Sequence, residues 1–235
     1  MNSLSPLPAL RAIPPPTIRN FSGSAATYSR STIHPRPVLI VVEGPHDVTF
    51  LQQVSRTLHA AKPDLIDLFH AEAQGNILFL PVGGGYLWNW VERLAPLGLQ
   101  EFHLYDRELP PETSRRQAFI ERLLQRPRCT ARLTSKRSLE NFLPADAIQR
   151  LAHVAVEVTD DNDVALDLAI AWWNGSPRSK SWSALPDRRR RKLRERAKRF
   201  LHQRVVPQLT PEDIFQNDPH REISGWLQEI CRLIA

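Results

Sequence analysis

Cysteine is nearly absent: the 235 residues hold two, Cys129 and Cys231. Two such residues make neither a disulfide framework nor a zinc site, and a reducing compartment is the expectation. Long apolar runs are also missing. None approaches the ~18–20 residues that cross a bilayer, so no membrane association is expected and a cytoplasmic setting is. Several catalytic signatures are absent. There is no Gly-Lys-Ser/Thr phosphate loop, no Gly-x-Ser-x-Gly, no His-Glu-x-x-His and no Gly-x-Gly-x-x-Gly. P-loop ATP hydrolysis, the serine-hydrolase elbow, zincin chemistry and hydride transfer therefore lack support. Acidic residues are missing from residues 1–42, which carry four arginines.

What is present suits a folded chain. Hydrophobic residues make up 42% and charged residues 24%, enough for a core in one domain with appendages. Net charge is +6, but its layout is uneven. Residues 187–204 hold ten Lys/Arg against Asp187 and Glu195. An acidic body thus carries a basic tail and one dense basic segment. That pattern suits a polyanion touched at one place, while a solvated helix face is the ordinary alternative. The candidate nucleic-acid contacts are Arg188, Arg189, Arg190, Arg191, Lys192, Arg194, Lys198 and Arg199.

Residues 1–36 read as a Pro/Ser-rich tail without periodic apolar pattern, expected to be disordered. Order begins at Val38-Leu-Ile-Val-Val42, a β-branched run that predicts a strand buried on both faces. Helical spacing follows over 47–60. Further strands are predicted at 77–82, 102–106 and 129–133, with helices near 86–96 and 112–125 between them. The alternation predicts an α/β fold with a mostly parallel sheet over 37–150. Strand signals then fade. Residues 151–235 read as a helical extension containing the basic helix 187–204, with segments at 161–173, 210–216 and 219–234.

The candidate chemistry lies at strand ends. Glu43 ends the first strand and Asp47 opens the following helix. Asp106 ends the third strand, and Glu108 follows two residues later, an extended spacing that points both side chains to one side. Carboxyl ends of parallel strands are where ligands bind. Four converging carboxylates need a counter-charge, and oxygen donors without a His or Cys cluster favour Mg²⁺ or Mn²⁺. Taken singly, each acid has an ordinary explanation as a helix cap or turn residue. Gly83, Gly84 and Gly85 follow the second strand and could approach an anion, or simply turn the chain. Lys136 and Arg137 could meet phosphate oxygens, and Glu140 could join a second metal. A capped helix start with a solvated basic pair is the alternative.

These segments resemble a known family. Val38-Leu-Ile-Val-Val-Glu-Gly-Pro-His-Asp47, continued by Phe50-Leu51, is similar to the first motif of TOPRIM domains. Those are the metal-binding α/β modules of topoisomerases, primases and OLD-family nucleases. Leu80-Pro-Val-Gly-Gly-Gly85 and Lys136-Arg-Ser-Leu-Glu-Asn-Phe142 resemble segments of the OLD-type branch. Tyr105-Asp-Arg-Glu108 stands where that family has Asp-x-Asp. The resemblance covers about residues 37–150. It implies a Rossmann-type parallel sheet flanked by helices, and Mg²⁺ or Mn²⁺ held by Glu43, Asp106 and Glu108. Asp47 would be a further metal residue, and Glu140 a candidate for a second ion. Lys136 would stabilise charge on phosphate. The implied activity is endonucleolytic phosphodiester hydrolysis, on DNA ahead of RNA, with a phage-defence role. Two departures stand out. Glu108 replaces the second Asp. The ATPase domain usual in OLD proteins has no counterpart here, so an ATPase is expected as a separate protein or not at all. The competing expectation is a non-catalytic nucleic-acid-binding or regulatory subunit.

Overall fold

The β-branched run Val38–Val42 forms the first strand, β1, with all five residues buried. It lies inside a sheet with β2 (Ile77–Pro81) on one side and β3 (Glu101–Tyr105) on the other. Strand β4 (Cys129–Leu133) pairs with β3. The order is β2-β1-β3-β4 and every pairing is parallel. Register places Leu39 beside Leu78 and Glu101, and Val41 beside Leu80 and His103. The computed structural model describes residues 36–83, 87–177 and 180–235. The expected tail, apart from Arg36, and Gly84 and Gly85 lie outside these.

Parallel strands need crossovers, and helices provide them. Helices α1 (Pro45–Ala61) and α2 (Leu68–Ala73) lie between β1 and β2, and α3 (Leu87–Leu94) lies between β2 and β3. Helix α4 (Glu112–Leu123) joins β3 to β4. Strand alternation divides the apolar residues into two layers. Val38, Ile40, Val42, Phe102 and Leu104 join one core with α1 residues Phe50, Leu51 and Val54. Leu39, Val41, Tyr105 and Ala131 join the other with Val91 of α3 and Phe119, Ile120 and Leu123 of α4.

After β4 the described chain is helical: α5 (Ala145–Ala152), α6 (Val164–Asn174), α7 (Asp187–Phe200), α8 (Pro211–Gln216) and α9 (Glu222–Ile234). These helices send Leu168, Ala197, Ile214, Trp226 and Ile230 into the same core as Ile40 and Val42. A π-helical turn, Leu201–Val205, continues α7 and adds Leu201 and Val205 to that core. The fold is therefore α/β, with an all-parallel four-strand sheet flanked by helices and a helical C-terminal region. No helix among the described residues is long and apolar enough to cross a membrane.

Candidate functional site

The chain leaves β1 for β2 on one side and later returns to β3 on the other. Between the carboxyl ends of β1 and β3 the direction of winding reverses, which opens a crevice in such sheets. Glu43 and Asp106 occupy its two lips. The backbone N–H of Asp106 donates to Glu43 Oε1 at 3.0 Å, bridging the strand ends. Leu139 N–H donates to Asp106 Oδ1 at 3.1 Å. Asp47 stands in the first turn of α1, where its Oδ2 accepts from Gly44 N–H at 2.8 Å. Asp47 and Asp106 are both buried.

Each buried carboxylate meets a different electrostatic fate. Burial pushes the Asp106 carboxyl well above its ordinary range, and Asp47, Glu43 and Glu140 add repulsion. Asp47 is pushed up to about 6, again mainly by burial. Glu140 goes the other way. Burial alone would raise it, but the Lys198 ammonium and the His202 hydrogen bond hold it well below the usual range. Lys198 Nζ lies 3.0 Å and His202 Nε2 2.6 Å from Glu140 Oε1. The His202 contact requires a proton on Nε2. His202 also stacks on His46, with ring centroids 5.2 Å apart.

Glu43 has its own cation. Arg116, buried on α4, donates through Nη1 to Oε1 and through Nη2, at 3.1 Å, to Oε2. Its Nη1 also reaches the Asp106 carbonyl at 3.0 Å. This fork is the pairing that guanidinium geometry favours. Glu108 does not have the extended backbone that the sequence spacing assumed. It sits at φ 57°, in the left-handed region, and its N–H donates to the Arg137 carbonyl at 2.9 Å. Its carboxylate is 3.6 Å from Arg137 Nε. Glu108 nevertheless stays near enough to act on Arg116, as Glu43 and Asp106 do.

The basic pair after β4 is covered by an acidic loop. Lys136 Nζ donates to Asp160 Oδ1 at 2.5 Å, with the ammonium 5.6 Å from the Phe142 ring centroid. Arg137 donates to the Asp161 carbonyl at 3.2 Å and lies 3.8 Å from Asp163. Arg107 pairs with Asp161. The loop is held in place by Asn141, whose amide donates to the carbonyls of Thr159 and Asn162 at 2.7 and 3.0 Å. Gly83, at φ 75°, turns the chain after β2, and its N–H donates to the Glu43 carbonyl at 2.8 Å. That N–H is thus already used.

Helix α7 is not uniformly solvated. Arg194 points inward and donates to Asp163 at 2.8 Å, and Lys198 reaches the carboxylates. Arg190 pairs with Asp187 and Arg189 lies over the Trp173 ring. Arg188, Arg191, Lys192 and Arg199 are exposed.

The site residues that sequence reasoning passed over are Arg116, Lys198 in its inward role, His202, and the acids Asp160, Asp161 and Asp163. One further set is internal. Glu101, His103 and Cys129 bring donor atoms within 4.8 Å of one another, the single such set among the described residues. Glu101 bonds His103 Nε2 at 2.7 Å and Arg126 at 2.7 Å, and Tyr105 OH bonds His103 Nδ1 at 2.7 Å. Burial lowers the His103 pKa and raises the Cys129 thiol to about 11. With both ring nitrogens and both carboxylate oxygens engaged, this set serves as a satisfied buried network.

The donor set at the crevice is carboxylate oxygen, the chemistry of a hard divalent cation. Asp47 and Asp106 each leave one oxygen for such an ion, but Glu43, Asp47 and Asp106 do not gather three donor atoms within 4.8 Å of one another. Each aspartate has one oxygen engaged by a backbone N–H, and each is driven toward protonation by burial and by the neighbouring carboxylates. Glu43 fits only by yielding contacts to Arg116. Fold and site together define an α/β protein with an acidic, cation-balanced crevice at its switch point. Comparison with protein-family models, curated proteins and solved structures found no match.

Proposed function

We propose that this chain is a metal-dependent nuclease of the TOPRIM kind, cleaving phosphodiester bonds in DNA or RNA. The observation that carries the reading is the placement of Glu43 and Asp106 on the two lips of the β1/β3 crevice, with the buried Asp47 beside them. Asp106 and Asp47 would hold Mg²⁺ or Mn²⁺, with Glu43 as a third residue. The ion, when bound, supplies a polarised phosphate oxygen and an acidified water. Arg116 orients Glu43 and fixes the Asp106 carbonyl. Lys136 would meet phosphate by exchanging Asp160, an exposed acid whose ion pair is weak in water. Exposed α7 residues Arg188, Arg191, Lys192 and Arg199 would neutralise flanking phosphates, a salt-sensitive contact without sequence preference.

A second reading has its own support. Arg116 and Lys198 already supply positive charge to the crevice, and Glu108 turns to Arg137. A crevice balanced from within suits a non-catalytic binding or regulatory subunit, working with a separate ATPase. One experiment separates the two. Supercoiled plasmid, single-stranded DNA and RNA are incubated with Mg²⁺, Mn²⁺ or EDTA. The nuclease reading expects metal-dependent cutting that Asp106→Asn abolishes while the variant remains folded. Silence of the folded wild-type chain on every substrate overturns it in favour of the subunit.

A further inference from the structure

The outer side of α7 borders a groove that the crevice does not use. At about 100° per residue, Leu193, Arg196 and Phe200 share one flank of the helix, while Arg194 and Lys198 share the opposite one. On the first flank lies a cavity of about 370 Å³, walled by Trp172, Trp173, Leu193 and Phe200, with Arg196 at its mouth. A second cavity of about 300 Å³ adjoins it and shares Leu151 and Phe200 as the partition. Arg204, Gln203 and Gln208 rim the second one. No acid lines either cavity among the described residues. Trp172 stands edge-on to Phe200, with centroids 4.9 Å apart, so the partition is aromatic. Leu151 is 36% exposed there, an apolar side chain left open to water.

We infer that this groove between α5, α6 and α7 binds single-stranded nucleic acid, seating unpaired bases on the aromatic wall of the first cavity and on either side of Phe200. The inference deepens the nuclease reading and rests on it for the choice of polyanion. Aromatic walls take any base by stacking, and guanidinium groups along the rim track the backbone. A duplex keeps its bases stacked and offers none to a recessed compartment. The exposed cations Arg188, Arg191, Lys192 and Arg199 lie on the arc of α7 between the two flanks. A strand held in the groove would cross that arc to reach the carboxylates. The chain would thus carry its base site and its phosphodiester site on opposite flanks of one helix.

The test is fluorescence anisotropy of labelled oligothymidine and of a labelled blunt duplex, in EDTA, so that cleavage plays no part. The full chain should bind the single strand more tightly than the duplex, with quenching of tryptophan emission. Trp172→Leu and Leu151→Glu should each weaken the single strand about tenfold and leave the duplex little changed. Trp172→Phe should retain most of the affinity, and Lys62→Glu, on an exposed side chain at the end of α1, should change nothing. Unchanged single-strand affinity in folded Trp172→Leu and Leu151→Glu overturns the groove, as does a duplex preference or no binding in the wild type. Intact single-strand preference without cleavage under any metal leaves the groove standing and removes only the nuclease.

Discussion

Lys198 is the residue on which the charge balance of the crevice turns. Burial disfavours its ammonium, yet Glu140, Asp106 and Asp47 hold its pKa above the ordinary value. Replacing it with methionine leaves Glu140 buried with His202 and Ser138 but no ammonium beside it, and deepens the repulsion among the aspartates. Lys198→Met should lose about 3 kcal/mol in urea unfolding, the scale of a broken buried pair. Mn²⁺ should then raise the melting temperature of this variant more than that of the wild type, because the ion replaces the missing charge. The aspartates set a pH dependence of their own. An acid raised from about 4 to about 6 holds its proton longer in the native state. The contribution of Asp47 and Asp106 to stability therefore falls as pH rises from about 4 to beyond 6. His46 and His103, both lowered chiefly by burial, work in the opposite sense. The discriminating quantity is a difference: between pH 5 and pH 7.5, metal-free wild type should lose stability relative to Asp106→Asn. Parallel melting curves for the two proteins would remove Asp106 as a strained carboxylate.

Helix α7 shows what an element can hide in its composition. Its run of arginines reads as one solvated face, yet Arg194 and Lys198, four residues apart, turn to Asp163 and Glu140. Charge counting cannot tell the inward cations from the outward ones, because both have the same side-chain chemistry. Substitution can. Arg188→Glu, Arg191→Glu, Lys192→Glu and Arg199→Glu should each shift stability by no more than about 0.5 kcal/mol and should together weaken polyanion binding. Arg194→Glu should lower the melting temperature by several degrees, because it sets a carboxylate against Asp163. The strands were the most legible elements. The β-branched run at 38–42 and the strands at 77–81, 101–105 and 129–133 announced themselves through apolar patterning between turns. Helix α2 did not, since six residues are too few for a period to show. The acids at the ends of β1 and β3 were legible from strand position. Arg116 was not: it lies 73 residues from Glu43 on a helix whose pattern marks it only as polar. The left-handed backbone of Glu108 was not legible either, because it leaves no trace in an acidic residue type.

At the scale of the molecule, the sheet cannot be separated from the helices that follow it. One face of β1 buries Val38, Ile40 and Val42 in a core that also contains Leu201, Val206, Leu227 and Ile230. Removing residues 151–235 would bare that face to water and delete Lys198 and His202 from Glu140. A chain ending at residue 150 should show no cooperative unfolding transition by circular dichroism, although it spans every strand. A sharp transition from that fragment would mean that the sheet and its first helices suffice. The fork between Arg116 and Glu43 has a consequence for inheritance. Arg116 Nε is buried without a hydrogen-bond partner and lies 3.7 Å from Glu112, so the guanidinium makes its hydrogen bonds to Glu43 and to the Asp106 carbonyl. A lineage that lost Glu43 would leave the buried guanidinium with Glu112, 3.7 Å from Nε, as its remaining ion pair, and one that lost Arg116 would release Glu43. Selection would therefore see positions 43 and 116 as linked, and descendants of this sequence should change them together more often than singly.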